Sequence, residues 1–450
     1  MAARRHRDIL GRMNRRDFST RTAGALGAVA LGAGPSLLAA QASIRVNGPR
    51  LNDALDRLGR IGRNPVTRGI NRLAFSDADR EARAYVSDLM RTAGLEISTD
   101  AAGNLIGRRA GTAAERPPLM LGSHIDSVPE GGNFDGPVGA LAAIEVARTL
   151  ADRGMGTRHP LEVVIFSNEE NGKTGSRAMS GEVEPRELDL VTASGKTIRD
   201  GIAYIGGEPG NLDRVRRAPG GAAAFFELHV EQGALLDRER VPIGVVEGIV
   251  GIKRWNVMAQ GFANHAGTTP MDARQDALLA AARFVDAVHR VTRTIPGRQV
   301  ATVGRISAEP GAPNVIPGRA VLSLEIRDLE MAKIDAVFER LRSEAGQIGA
   351  ATGTTFGFNQ FYTSHAAPTV EPLRRVIESA AQGLGLKTMR LPSGAGHDAQ
   401  SIALFAPIGM VFVPSVDGIS HSPNEYSRPH DITAGADVLL QALLAADRAA

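Results

Sequence analysis

Between residues 43 and 450 the chain alternates two kinds of hydrophobic pattern. Leu119–Gly122, Leu161–Ser167, Ala222–His229 and Gly409–Val413 are short, largely continuous apolar runs, the pattern of strands buried on both faces. Ala140–Ala151 and Thr433–Ala446 space their apolar residues as helices do. Such alternation predicts an α/β fold with a mixed or parallel sheet covered by helices, whose ligands sit where loops leave the carboxyl ends of the strands.

From about Val250 to Tyr362 the pattern changes. Strand Lys253–Gln260, helix Arg274–Val291, strands Val300–Ser307 and Ala320–Arg327, helix Met331–Ile348 and strand Thr354–Phe361 form a βαββαβ series of ferredoxin-like order. The outer pattern resumes after it. The expected organisation is one domain built from residues 43–249 and 363–450, with residues 250–362 inserted as a second unit.

Composition removes several classes. A chain of 450 residues, 43% hydrophobic and 22% charged, with 51 glycines and 24 prolines in no repeating period, is not disordered, collagen-like or a coiled coil. Beyond the N-terminal region no run approaches the ~20 apolar residues of a spanning helix, so no membrane anchor is expected. Residues 1–42 hold seven arginines against Asp8 and Asp17, a local +5 that leaves −2 for the rest of a chain whose formal charge is +3. Nothing in that remainder reads as a basic patch for nucleic acid. The absence of cysteine excludes disulfides, haem thiolates and iron–sulfur sites.

The arginine-rich start has its own logic. Asn14-Arg15-Arg16-Asp17-Phe18 leads into Ala23–Ala40, a short Ala/Gly/Leu stretch diluted by four glycines and interrupted by Pro35. That is the form of a twin-arginine signal peptide, with small residues at Ala40 and Ala42 for cleavage near Ala42. The mature protein is therefore expected in the periplasm, delivered by the twin-arginine export machinery.

Polar clusters follow the expected strands of the outer domain: Gly122-Ser123-His124-Ile125-Asp126, Gly131-Gly132-Asn133-Phe134-Asp135-Gly136, Asn168-Glu169-Glu170, His229-Val230-Glu231-Gln232 and Ser420-His421-Ser422-Pro423. Histidines and carboxylates without sulfur make a ligand set for zinc, manganese or cobalt. Five such ligands exceed what one catalytic zinc takes and suit a dinuclear site with a bridging carboxylate. Singly, each motif has a structural explanation. Jointly, Asp135 lies eleven residues after His124, and Glu170 thirty-five after Asp135.

With that order and spacing the chain resembles, over roughly residues 50–446, the dinuclear metallo-amidohydrolases related to aminoacylase and glutamate carboxypeptidase. Within them it is most similar to the hydantoinase/carbamoylase branch of N-carbamoyl-L-amino-acid hydrolases, β-ureidopropionases, allantoate amidohydrolases and ureidoglycolate amidohydrolases. The resemblance implies a metallopeptidase-like catalytic domain, an inserted lid and dimerisation domain, and two divalent ions per chain (Zn, Mn, Co or Ni). It makes Asp135 the bridging ligand, with Glu170 and His421 completing one site and His124 and His229 the other, and Glu169 the general base. Adjacent residues at a strand end point in different directions, so Glu170 can hold an ion while Glu169 faces water. Asp126, two residues after His124, is expected to hold that imidazole's tautomer.

The resemblance also assigns residues around the substrate. Gln232 matches the ureido contact of the carbamoylases, and Gly396 lies in the matching glycine-rich loop Gly394–Asp398. In the insert, the matching His265 stabilises an oxyanion and often reaches a neighbouring subunit, which implies a homodimer. Asn314 and Arg327, thirteen residues apart, hold a substrate carboxylate, a task that a bidentate guanidinium suits and lysine does not. From its strand alone, Arg327 shares the less apolar face with Val321, Ser323 and Glu325 and reads as a solvated sheet residue or a partner of Glu325. The expected activity is metal-dependent hydrolysis of a linear amide C–N bond in a carboxylate-bearing ureido compound, releasing ammonia. A dipeptidase or N-acyl-amino-acid amidase is the alternative on the same scaffold, and His229 with Gln232 argues against it.

The leader carries its own test. Replacing Arg15 and Arg16 together by lysine is expected to trap the precursor in the cytoplasm, read as loss of the periplasmic fraction on immunoblots; an undiminished periplasmic fraction refutes this export route.

Overall fold

A computed structural model describes residues 44–449 of the chain. The leader, including Arg15 and Arg16, lies outside the described residues. In chain order the main strands and helices begin with α1 (Gly48–Leu58), α2 (Asp77–Thr92), β1 (Glu96–Thr99), β2 (Leu105–Arg109) and β3 (Leu119–His124). They continue with α3 (Pro137–Asp152), β4 (Leu161–Phe166), β5 (Ala224–Val230) and β6 (Ile243–Ile249). The changed pattern then gives β7 (Gly251–Gln260), β8 (Asn264–His265), α4 (Ala277–Thr294), β9 (Val300–Glu309) and β10 (Val315–Ile316). It closes with β11 (Arg319–Asp328), α5 (Met331–Thr352) and β12 (Thr355–Ser364). The outer pattern resumes with β13 (Ala367–Pro368), α6 (Glu371–Gly383), β14 (Thr388–Ser393), β15 (Ile408–Val413) and α7 (Pro429–Ala449).

The large sheet is nine-stranded, in the order β1-β2-β4-β3-β5-β15-β6-β13 with β14 paired to β6. Its centre is parallel: β3 runs with β4 and β5, and β5 with β15. Every residue of β3, β4, β5 and β15 is buried. That is why these strands read as unbroken apolar runs, since helices and loops cover both faces. One face packs on α1, α2, α3, α6 and α7 through a core that includes Leu121, Val163, Phe226 and Leu439. The other buries Met120, Phe225, Met410 and Phe412. Four parallel strands thus end together, and the loops after them carry the polar clusters.

The second sheet is four-stranded and antiparallel, in the order β12-β7-β11-β9. With α4 and α5 it gives a βαββαβ unit whose own core holds Trp255, Phe284, Leu322, Leu324 and Leu341. Trp255 stacks on Phe338 with ring centroids 4.4 Å apart. Helix α4 starts at Ala277 rather than Arg274, because Asp276 caps it by accepting from the Leu278 and Leu279 amides. A two-stranded ladder that periodicity does not signal, β8 with β10, sets His265 opposite Val315.

In β11, Leu322, Leu324 and Ile326 are fully buried while Arg327 and Glu325 share the partly open face. Leu324 sits opposite Trp255 of β7. Leu324→Ala is expected to cost ~2–5 kcal/mol through lost burial and the cavity left behind, seen as a lower urea midpoint with an unchanged slope; a loss under ~1 kcal/mol contradicts the tight packing.

Candidate metal centre

The carboxyl ends of β3, β4 and β5 present His124, the Asn168–Glu170 turn and His229 to one edge of the sheet. Asp135 is delivered from the loop that opens α3, and His421 from the loop between β15 and α7. Gly136, immediately after Asp135, has φ 81° and precedes Pro137, the first residue of α3. A Cβ there would lie 2.4–2.5 Å from three atoms of the His124 ring, so only glycine lets the two ligand loops approach.

Asp135 is the centre of the cluster. Its Oδ1 lies 3.1 Å from His229 Nε2 and 3.6 Å from His124 Nε2, while Oδ2 lies 3.1 Å from His421 Nε2. Glu170 Oε2 is 3.6 Å from the same His421 nitrogen. Two sets of ligand atoms, His124–Asp135–His229 and Asp135–Glu170–His421, each fall within 4.8 Å and share Asp135. Ligands about 2.0–2.2 Å from one tetrahedral ion stand about 3.3 Å apart, which these separations match.

Tautomers support a cation as well. His124 Nδ1 donates to the Asp126 carbonyl at 3.1 Å and His229 Nδ1 to the Val230 carbonyl at 2.9 Å. With Nδ1 so engaged, Nε2 of each ring faces Asp135 Oδ1, the nitrogen that a histidine anchored in this way presents to a metal ion. His229 Nε2 is buried with no hydrogen-bond partner among the described residues.

Charges at the site are strongly interdependent. Burial would raise the Asp135 carboxyl, but the adjoining imidazoles of His124, His229 and His421 hold it well below the ordinary carboxylate value. Burial raises Glu169 to about 7, and burial together with Asp135 and Glu169 raises Glu170 to about 8. His421 is raised to about 9, first by its hydrogen bond to Asp135. Carboxylates this crowded repel one another, and a bound divalent cation offsets that repulsion.

Asp126 holds the His124 tautomer as expected, but through its backbone carbonyl, since its carboxylate Oδ1 is 3.6 Å from Nδ1. The carboxylate instead accepts from the amides of Glu169 and Glu170, at 3.3 and 3.1 Å. Asp126 therefore positions the paired glutamates. Gln232, with φ 58°, donates from Nε2 to Asp135 Oδ2 and leaves Oε1 buried and unpartnered among the described residues.

The insert residues stand apart from this cluster. His265 and Asn314 are exposed and, among the described residues, make no hydrogen bond or ion pair with it. His265 Nδ1 accepts from the Gly267 and Thr268 amides at 3.0 and 3.2 Å, which leaves its Nε2 as the proton-bearing nitrogen. Arg327 Nε bonds Glu325 at 2.7 Å, as its strand face allows, and Nη1 reaches the Gly394 carbonyl across to the glycine-rich loop. Gly396 is exposed, and it is followed in the loop by buried His397, whose ring packs 4.4 Å edge-on to that of His229. The histidines outside every motif behave as ordinary residues; His159, for instance, bonds the Pro117 carbonyl at 2.7 Å.

Sequence reasoning missed several buried polar residues beneath the ligands. Glu227 accepts from Ser123 Oγ and the Ala399 amide, joining β3 to the loop beyond β14. Its signal was available: a carboxylate inside an apolar strand, two residues before His229 and so on the same face. Asp398 is fully buried and raised well above its ordinary value by burial and by Glu169. Nothing local marks its burial.

Fold and site together define a metal-dependent hydrolase, its ligands gathered at the carboxyl edge of a mixed sheet. The chain belongs to the peptidase family M20/M25/M40, whose model matches residues 120–445. It is 39% identical to the N-carbamoyl-L-amino acid amidohydrolase of Geobacillus stearothermophilus, over 88% of this chain and 97% of that protein. It is 33% identical to the ureidoglycolate hydrolase of Arabidopsis thaliana, over 88% of this chain and 86% of that protein. Among solved structures, a hydantoinase/carbamoylase family amidase from Burkholderia multivorans superposes with a TM-score of 0.82 at 38% identity, covering 90% of this chain and 98% of the other.

Gly136→Ala tests the loop geometry: the added Cβ strains a left-handed backbone and displaces the His124 ring, so metal affinity is expected to fall at least ~10-fold with the far-ultraviolet spectrum unchanged. Unaltered affinity in equilibrium dialysis against zinc contradicts the close approach.

Proposed function

We propose that this chain is a two-ion amidohydrolase that cleaves the linear amide C–N bond of a carboxylate-bearing ureido compound, of the N-carbamoyl-L-amino acid, allantoate or ureidoglycolate type. The observation that carries this reading is the division of Asp135, one oxygen toward His124 and His229 and the other toward His421 and beside Glu170. Zinc, manganese, cobalt and nickel all suit the nitrogen/oxygen donors. When bound, the ions supply Lewis acidity to the scissile carbonyl and acidify water.

The chain's own residues do the rest. Glu169, raised to about 7 by burial, takes a proton from the attacking water and returns it to the leaving nitrogen. Gln232 offers its unpartnered Oε1 to a ureido N–H. Arg327, oriented by Glu325 and Gly394, presents its remaining guanidinium donors to the substrate carboxylate. For a carbamoyl compound the products are the amine, ammonia and carbon dioxide.

His265 and Asn314 belong to the same reading through a homodimer, in which an exposed His265 serves the substrate of a second copy. The free edge β9, with Val300 and Ile306 exposed, supports association through the insert. Export to the periplasm by the twin-arginine route, with cleavage near Ala42, completes the proposal and rests on residues outside those described.

The deciding assay uses zinc-, manganese- or cobalt-reconstituted protein and reads ammonia from N-carbamoyl amino acids, allantoate and ureidoglycolate, and freed amino acid from dipeptides and N-acyl amino acids. Ureido acids are expected to be the preferred class, and Glu169→Gln is expected to keep the metals while kcat falls at least ~10²-fold. Preference for dipeptides refutes the substrate class; near-wild-type turnover in the variant refutes the base.

A further inference from the structure

The two ligand groups differ in how they are anchored. His124 and His229 stand at the ends of central strands, are almost fully buried, and have Nδ1 tied to backbone carbonyls of their own segments. His421 comes from an irregular loop, has a side chain 48% exposed, and sits at φ 53°, a left-handed conformation that a non-glycine residue holds only when its surroundings impose it. The backbone of that loop is held by a carboxylate. Glu425, buried at 6% exposure, accepts at Oε1 from the Phe134 and Asp135 amides, at 2.8 and 2.9 Å. At Oε2 it accepts from Ser420 Oγ at 2.9 Å and the His421 amide at 3.2 Å. Ser420 Oγ is also 3.1 Å from Asp135 Oδ2.

One side chain therefore ties the loop of Asp135 to the loop of His421, two segments nearly three hundred residues apart in the chain. Its neighbours reinforce the tie, since Phe134 and Tyr426 meet edge to face at 5.6 Å. Gly132 makes room for it: a Cβ there would lie 2.3 Å from Glu425 Oε1. Four donors converge on two oxygens, which an ionised carboxylate satisfies and an amide cannot.

We infer that Glu425 is a positioning residue that sets the His421 loop on Asp135 and thereby governs the affinity of the Asp135–Glu170–His421 group for its ion, leaving the His124–Asp135–His229 group largely independent of it. This inference rests on the two-ion reading. Glu425→Gln keeps size and one acceptor oxygen but turns an amino group onto two donors. By equilibrium dialysis of the full mature chain against buffered zinc, the wild type is expected to bind two ions. In the variant one dissociation constant is expected to rise at least ~10-fold and the other to change by less than about threefold, with activity regained at high zinc.

A double-mutant cycle distinguishes positioning from general destabilisation. In a His421→Ala background, where that ion's group is already broken, Glu425→Gln is expected to add no further loss of metal. Should Glu425→Gln fail to fold, Ser420→Ala removes one donor of the same tie and is expected to weaken the same ion by a smaller factor. Equal weakening of both ions, additive losses in the cycle, or wild-type affinity for both ions in the single variants overturns the inference alone. A wild type that binds one ion overturns the two-ion reading and this inference with it.

Discussion

The structure depends on a carboxylate placed where three imidazoles meet. Asp135 is buried, and its two oxygens stand within about 3–4 Å of His124, His229 and His421. A buried charge is tolerable only when it is paired and hydrogen-bonded, so everything around Asp135 is arranged to serve it. Its oxygens divide the site into two groups, its loop requires glycine at 132 and 136, and its backbone amide needs an acceptor. The sheet supplies the fixed frame from which those demands are met.

That frame works by division of labour. Central parallel strands, buried on both faces, hold His124 and His229 with little freedom. Loops bring the remaining ligands, and each needs side-chain support that a strand does not. Asp126 supports the Glu169–Glu170 turn through its carboxylate, while Glu425 spans two loops. The βαββαβ unit contributes from outside: Arg327 meets Gly394 near the site, whereas His265 and Asn314 face solvent. The candidate metal ligands thus all come from the large-sheet part of the fold, and none from the βαββαβ unit.

Much was legible because the signals are local. Strands at Leu119, Leu161 and Gly409 announce themselves as apolar runs, since burial on both faces permits nothing else. The ligand types were legible for a related reason: histidine and carboxylate at strand ends are the residues that hold hard and borderline cations. Less legible were short or amphipathic elements such as β8, β10 and β13, whose existence comes from pairing with distant strands.

The sequence by itself determined the α/β architecture and the class of chemistry, because backbone periodicity and donor types are written within a few residues, while the five candidate ligands were singled out by the family resemblance. Only the tertiary structure decided which group supports which. It gave the His124 tautomer to a carbonyl instead of the Asp126 carboxylate, set Arg327 between Glu325 and Gly394, and placed Glu425 under both Asp135 and His421. Hydrogen bonds depend on fractions of an ångström between segments far apart in the chain, and those distances exist only once the hydrophobic layers have packed.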